Sequence, residues 1–130
     1  MDDSTAVMLI AHGSRVQAAN DELLAVADLL KSQTTYQHVT VAYLELAEPT
    51  IPESAHLLSQ SNAGRVFLMP YFLSAGSHVT RDLVGFRRQF SEQYPDIEWI
   101  LCAPLGVHPH MVSIISDRLR EAEDSDSLPL

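Results

Sequence analysis

Apolar and polar positions alternate between two kinds of segment along the chain. Residues 6–11 read AVMLIA, a continuous apolar run that suits a strand buried on both faces of a sheet. Val16, Ala19, Leu23, Val26 and Leu30 then recur at helical spacing. Residues 39–44 predict a second strand. Thr50-Ile51-Pro52-Glu53 predicts a helix start, with Thr as cap, Pro in the first turn and Glu closing a capping box. That helix is expected to end near Asn62-Ala63-Gly64 in a left-handed cap. Residues 65–72 hold a third strand. Leu83, Phe86 and Phe90 mark a third helix closed before Pro95, and residues 97–102 a fourth strand. Pro109 opens a fourth helix with Val112, Ile115 and Leu119 on its apolar face.

Four βα units in sequence imply an α/β fold: a four-stranded parallel sheet, right-handed crossovers and helices on both faces. A flavodoxin-like strand order of 2-1-3-4 is the expected topology. Residues 1–120 form a single domain in this reading. Residues 121–130, acidic and ending Leu-Pro-Leu, are expected to be a flexible tail.

Composition narrows the function classes. The chain has 130 residues, with 46% hydrophobic and 19% charged residues, enough for one real core. A net charge of −9 argues against a nucleic-acid partner. No apolar run approaches the ~20 residues of a membrane span, and Met1-Asp2-Asp3-Ser4 lacks the basic start of a signal peptide. With Cys102 the single cysteine, a reducing, cytoplasmic setting is expected. An anionic ligand would need local positive charge against the global field.

In open parallel sheets, ligands bind beyond the carboxyl ends of the strands. That rule gathers His12, Glu45, His78 and His108, each read as following one of the four strands in turn. His12 and His78 would face each other where strands one and three are neighbours. Two imidazoles and a carboxylate suit a borderline divalent metal, and they are also proton acceptors near neutral pH. Gly13 and Gly76 would let a flat ligand approach the backbone. Each residue also has a plainer reading. His12 could bond the backbone at a strand-to-helix turn, and Gly13-Ser14 could cradle a phosphate. Glu45 could be a solvated strand end, with Glu48 as a rival ligand. His78 could sit unliganded in a helix's first turn, and His108 could only shape the turn before Pro109. Tyr71 and Phe72 are more often core, though one could line the crevice.

The blocks AHGSR, YLELAEPTI, MPYFLSAGSHVTRDL and PLGVHP, in that order, resemble the short sirohydrochlorin chelatases, class II cobalto- and ferrochelatases. The resemblance covers roughly residues 6 to 120. It implies ATP-independent insertion of cobalt, iron or nickel, as substrate, into an anionic tetrapyrrole, without an organic cofactor. It implies that His12 and His78 bind metal and remove protons, with Glu45 as the third member. The short forms of this family are homodimers, and the longer ones hold two similar lobes in one chain. Ser14, Arg15, Ser77 and Arg81, adjacent to the two histidines, are expected to bind substrate. A dimer contact is expected near the crevice, through residues 73–75 or through Phe86 or Phe90. The alternative is a carrier of metal or tetrapyrrole with the same fold but no turnover.

Overall fold

The computed structural model describes residues 4–125. Strand β1 (Thr5–Ala11) leads to helix α1 (Gln17–Gln33), then β2 (His38–Tyr43), α2 (Ile51–Ser59), β3 (Arg65–Pro70), α3 (Ser77–Gln93), β4 (Glu98–Leu101) and α4 (Pro109–Asp124). All strand pairs are parallel and the order is β2-β1-β3-β4, as the pattern predicts. None of the described helices is long and apolar enough to cross a membrane.

Alternation along the central strands builds two cores. Met8, Ile10, Val66, Leu68 and Trp99 face α2 and α3, where Ile51, Leu58, Leu83 and Phe90 close over them. Val7, Leu9, Val41 and Tyr43 face α1 and meet Leu23 and Ala27. The rings of Phe90, Tyr94 and Trp99 pack at tilted angles, with Phe90 and Trp99 ring centroids 5.1 Å apart, which fastens α3 to β4. Phe90 is therefore core and is not available for a dimer contact. β4 is short and lies at the edge of the sheet, where Arg87 Nε donates to the Trp99 carbonyl at 3.2 Å.

Both halves of the expected capping box are present: Thr50 Oγ1 accepts from the Glu53 N–H, and Glu53 Oε1 accepts from the Thr50 N–H. The left-handed cap expected at Gly64 is absent. α2 stops at Ser59 on Gln60, and Gly64 instead lies close to Ser4, where an added Cβ would meet Ser4 Oγ at 3.1 Å. Val16 and Ala19 are exposed, and the buried position in the first turn of α1 is the polar Asn20. α4 departs most from expectation. It continues past residue 120 to Asp124, and it buries none of its residues, so the sheet has helices α2 and α3 on one face and α1 alone on the other. The remainder of the expected tail, residues 126–130, lies outside the described residues.

Candidate functional site

The carboxyl edge of the sheet is built by backbone bonds that outlast the strands. Beyond β2, the Leu44 N–H donates to the Ala11 carbonyl and the Glu45 N–H to the His12 carbonyl, both at 3.0 Å. Glu45 thus lies just after the strand, zipped against the residue that follows β1. Gly13 makes this approach possible. Its φ is +99°, and a Cβ there would sit 1.8 Å from the Glu45 carbonyl oxygen. Only glycine fits both the dihedral and the space. The result brings His12 Nε2 to 3.5 Å from Glu45 Oε2, with both side chains more than half exposed.

His78 completes the crevice from the other side. It lies in the first turn of α3 and not in the preceding loop, because the helix starts at Ser77, six residues before the first apolar position that marks it in the sequence. His12, Glu45 and His78 line one open crevice of about 670 Å³ with Leu44, Arg81, Asp82, Phe86 and Gln89. The three do not close into a ligand shell: among the described residues no group of three histidine, cysteine or acidic side chains is near enough to share one ion. His12 and Glu45 are held together by backbone pairing, whereas His78 is carried on a separate rigid helix, so the crevice keeps them apart.

Arg81 faces the crevice as expected. Ser14 and Arg15 do not: they line a different depression with Leu24, Tyr43 and Glu48. The Gly13 turn reverses the chain so that His12 and Arg15 serve opposite sides. Ser14 is then clamped by the Asn20 side chain, which accepts from the Ser14 N–H at 3.0 Å and donates to its carbonyl at 2.8 Å. The Tyr43 hydroxyl donates to the Asn20 carbonyl, and burial, reinforced by Asp21, raises the Tyr43 pKa. Ser77 is exposed at the start of α3 and does not line the crevice. Neither Tyr71 nor Phe72 lines it. His108 is also outside it. Its ring caps α4 by accepting from the His110 N–H, and the two rings stack at 5.0 Å. Glu48 lies outside too, which leaves Glu45 as the carboxylate beside His12. Asp82 and Gln89 were missed. Counted from His78 they fall at i+4 and i+11, one helical face, a signal hidden while His78 is placed in a loop.

Fold and crevice together define a doubly wound α/β protein whose crevice at the switch point is lined by two imidazoles and a carboxylate. The chain belongs to the CbiX family, whose model matches residues 6–122. It is 31% identical over 118 residues to the chloroplastic sirohydrochlorin ferrochelatase of Arabidopsis thaliana, a match covering 91% of this chain and 52% of that protein. It is 27% identical over 137 residues to the sirohydrochlorin cobaltochelatase of Methanopyrus kandleri, covering 90% of this chain and 96% of that one. The structure of the sirohydrochlorin chelatase SirB from Bacillus subtilis subspecies spizizenii in complex with cobalt has the same fold, with a TM-score of 0.83 at 24% identity over 91% of this chain and 50% of SirB. The chain therefore spans about half the length of the plant protein and nearly all of the Methanopyrus one.

Proposed function

We propose that this protein inserts a divalent metal ion (cobalt, iron or nickel) into sirohydrochlorin or a closely related anionic tetrapyrrole, without ATP. The observation that carries this reading is the His12–Glu45 pair, 3.5 Å apart, sharing one crevice with His78. Metallation needs a metal held loosely enough to leave and bases for two pyrrole protons. An open set of two imidazoles and one carboxylate meets both needs. In this reading His12 and Glu45 receive the metal, His78 faces them across the macrocycle, and all three are the candidate proton acceptors. Phe86 offers an apolar wall. Arg81 receives ring carboxylates, which answers the need for local positive charge in a chain of net charge −9. The names of the curated relatives support the substrate class.

The working unit in this reading is a homodimer in the cytoplasm. One lobe gives a disc-shaped ligand one wall, and a second copy supplies what two-lobed relatives carry in one chain. The test is spectroscopic. Purified protein is mixed with sirohydrochlorin and cobalt and the absorption followed in time. Turnover beyond one equivalent is the expected result. A shift that stops at one equivalent makes the protein a carrier, and no shift removes the tetrapyrrole reading.

A further inference from the structure

We propose that Gly85 is the clearance residue of the crevice: it carries no side chain, so the backbone of α3 is bare there and the face of a flat macrocycle lies directly on the helix. This rests on the tetrapyrrole reading above and names the residue that sets how closely such a ligand fits.

The first observation is a glycine that the chain itself does not need. Gly85 lies in the middle of α3, a helix of 17 residues. Glycine is a poor residue for a helix interior, because it has more backbone freedom to lose than any other. Other glycines here have a reason in the fold. Gly13 holds φ at +99° against the Glu45 carbonyl, Gly106 holds φ at +62°, and Gly64 lies close to Ser4. Gly85 has neither reason: its φ is not positive, and a Cβ built on it would meet nothing within 4 Å. The open space in front of it is the crevice, which Gly85 helps to line.

The second observation is what flanks it. Arg81, Gly85 and Gln89 follow one another at every fourth residue, a single row of α3 along the crevice. At a rise of 1.5 Å per residue, Arg81 and Gln89 stand about 12 Å apart along the helix axis. A guanidinium at one end and an amide at the other, both hydrogen-bond donors, thus bracket a bare centre. Phe86 fixes the wall beside the gap: it packs against the core and stacks on Phe90, with ring centroids 5.8 Å apart. His12 and Glu45 line the same crevice from the strand side. A flat apolar disc with carboxylates on its rim matches this row. Its face packs on the backbone at the gap, at the carbon contact distance of about 3.5–4.0 Å, while its rim reaches Arg81 and Gln89. A side chain at position 85 would stand between the disc and the helix and push the disc off α3.

The test compares Gly85→Ala and Gly85→Leu with wild type, on the full chain, in three measurements: thermal melts, titration with cobalt alone, and titration with metal-free sirohydrochlorin followed by absorption. Gly85→Ala should melt up to about 4 °C higher than wild type, because alanine is the better helix former. Cobalt affinity should be unchanged, since His12, Glu45 and His78 are untouched. Sirohydrochlorin affinity should fall about 5-fold for Gly85→Ala and at least ~50-fold for Gly85→Leu, the range of an overpacked contact. In steady-state assays the Gly85→Ala loss should appear in KM with kcat nearly constant. A purely structural role for Gly85 would not raise Tm and weaken one ligand while sparing the other. Variants that bind sirohydrochlorin as tightly as wild type, or more tightly, overturn the clearance role and leave the chelatase reading in place. A wild type that does not bind sirohydrochlorin overturns both. Gly85→Ala adds one methyl group to open space, so it decides the matter even where Gly85→Leu misfolds.

Discussion

Gly13→Ala is the sharpest perturbation of the crevice that leaves the side chains of His12, Glu45 and His78 unchanged. The new methyl would be placed 1.8 Å from the Glu45 carbonyl oxygen and 3.3 Å from Tyr43 Cβ, at a φ of +99°. A sparsely populated dihedral costs on the order of 1–3 kcal/mol. The clash must also push the Glu45 backbone away, and the Glu45 N–H to His12 carbonyl bond goes with it, about 1 kcal/mol more. The expected loss is about 2–4 kcal/mol, which for a domain of this size lowers Tm by roughly 10 °C. Because that bond aligns the His12–Glu45 pair, cobalt affinity should fall at least ~10-fold, the usual effect of losing an orienting contact. Thermal melts and a cobalt titration of the same preparation measure both. Gly85→Ala is the control: it lies within α3 with nothing within 4 Å of the new carbon, and it should gain up to about 1 kcal/mol. A Gly13→Ala protein that melts within a degree or two of wild type and binds cobalt equally well would refute the account of how the pair is held.

Arg81→Ala should raise KM several-fold with little change in kcat, the mark of lost uniform binding, whereas Arg15→Ala should leave both unchanged; steady-state kinetics with sirohydrochlorin compares them. Asn20→Ala removes both hydrogen bonds to Ser14 and leaves a part-buried backbone pair unsatisfied, so urea unfolding should show a loss of about 2–3 kcal/mol, and a loss under ~0.5 would show that the clamp is idle. Burial raises the pKa of Cys102 and, with Asp21, that of Tyr43. The native state therefore holds these protons more tightly than the unfolded chain. Their stabilisation is complete below the ordinary thiol pKa of about 8.5 and is lost as pH rises through the raised native values. Stability should fall across alkaline pH, and Cys102→Ser should flatten the lower part of that decline in urea titrations.

β1 is legible because it is buried on both faces, which leaves the unbroken apolar run AVMLIA, whereas β3 buries only alternate residues yet keeps an apolar run. The strand order and the His12, Glu45 and His78 edge followed from topology rules alone. The start of α3 is harder to read, because its first turn offers one apolar residue, Val79, half-buried against the core and in period with Leu83, Phe86 and Phe90, among exposed polar neighbours. Ser14 and Arg15 lie outside the crevice for a different reason. Adjacency in sequence says nothing about direction when a glycine at positive φ lies between. Asn20 gives no signal, because a buried polar side chain at a helix start looks the same in sequence as an exposed one. The exposure of α4 is not legible either, because an apolar stripe at helical spacing predicts a covered face, whereas the helix buries none of its residues.

The hydrogen bond from Arg87 to the Trp99 carbonyl bears on the shelf life of the protein in solution. An exposed edge strand offers a row of unpaired carbonyls and N–H groups that another molecule's strand can extend, the first step toward ribbons and insoluble aggregates. β4 has only four residues, and one of its outward carbonyls is already occupied by a charged side chain from the helix alongside. A guanidinium at this place both fills the acceptor and sets a positive charge in the path of an incoming strand. The chain thereby sets a gatekeeper from α3 beside β4, one of its two edge strands, independent of whatever binds at the carboxyl edge.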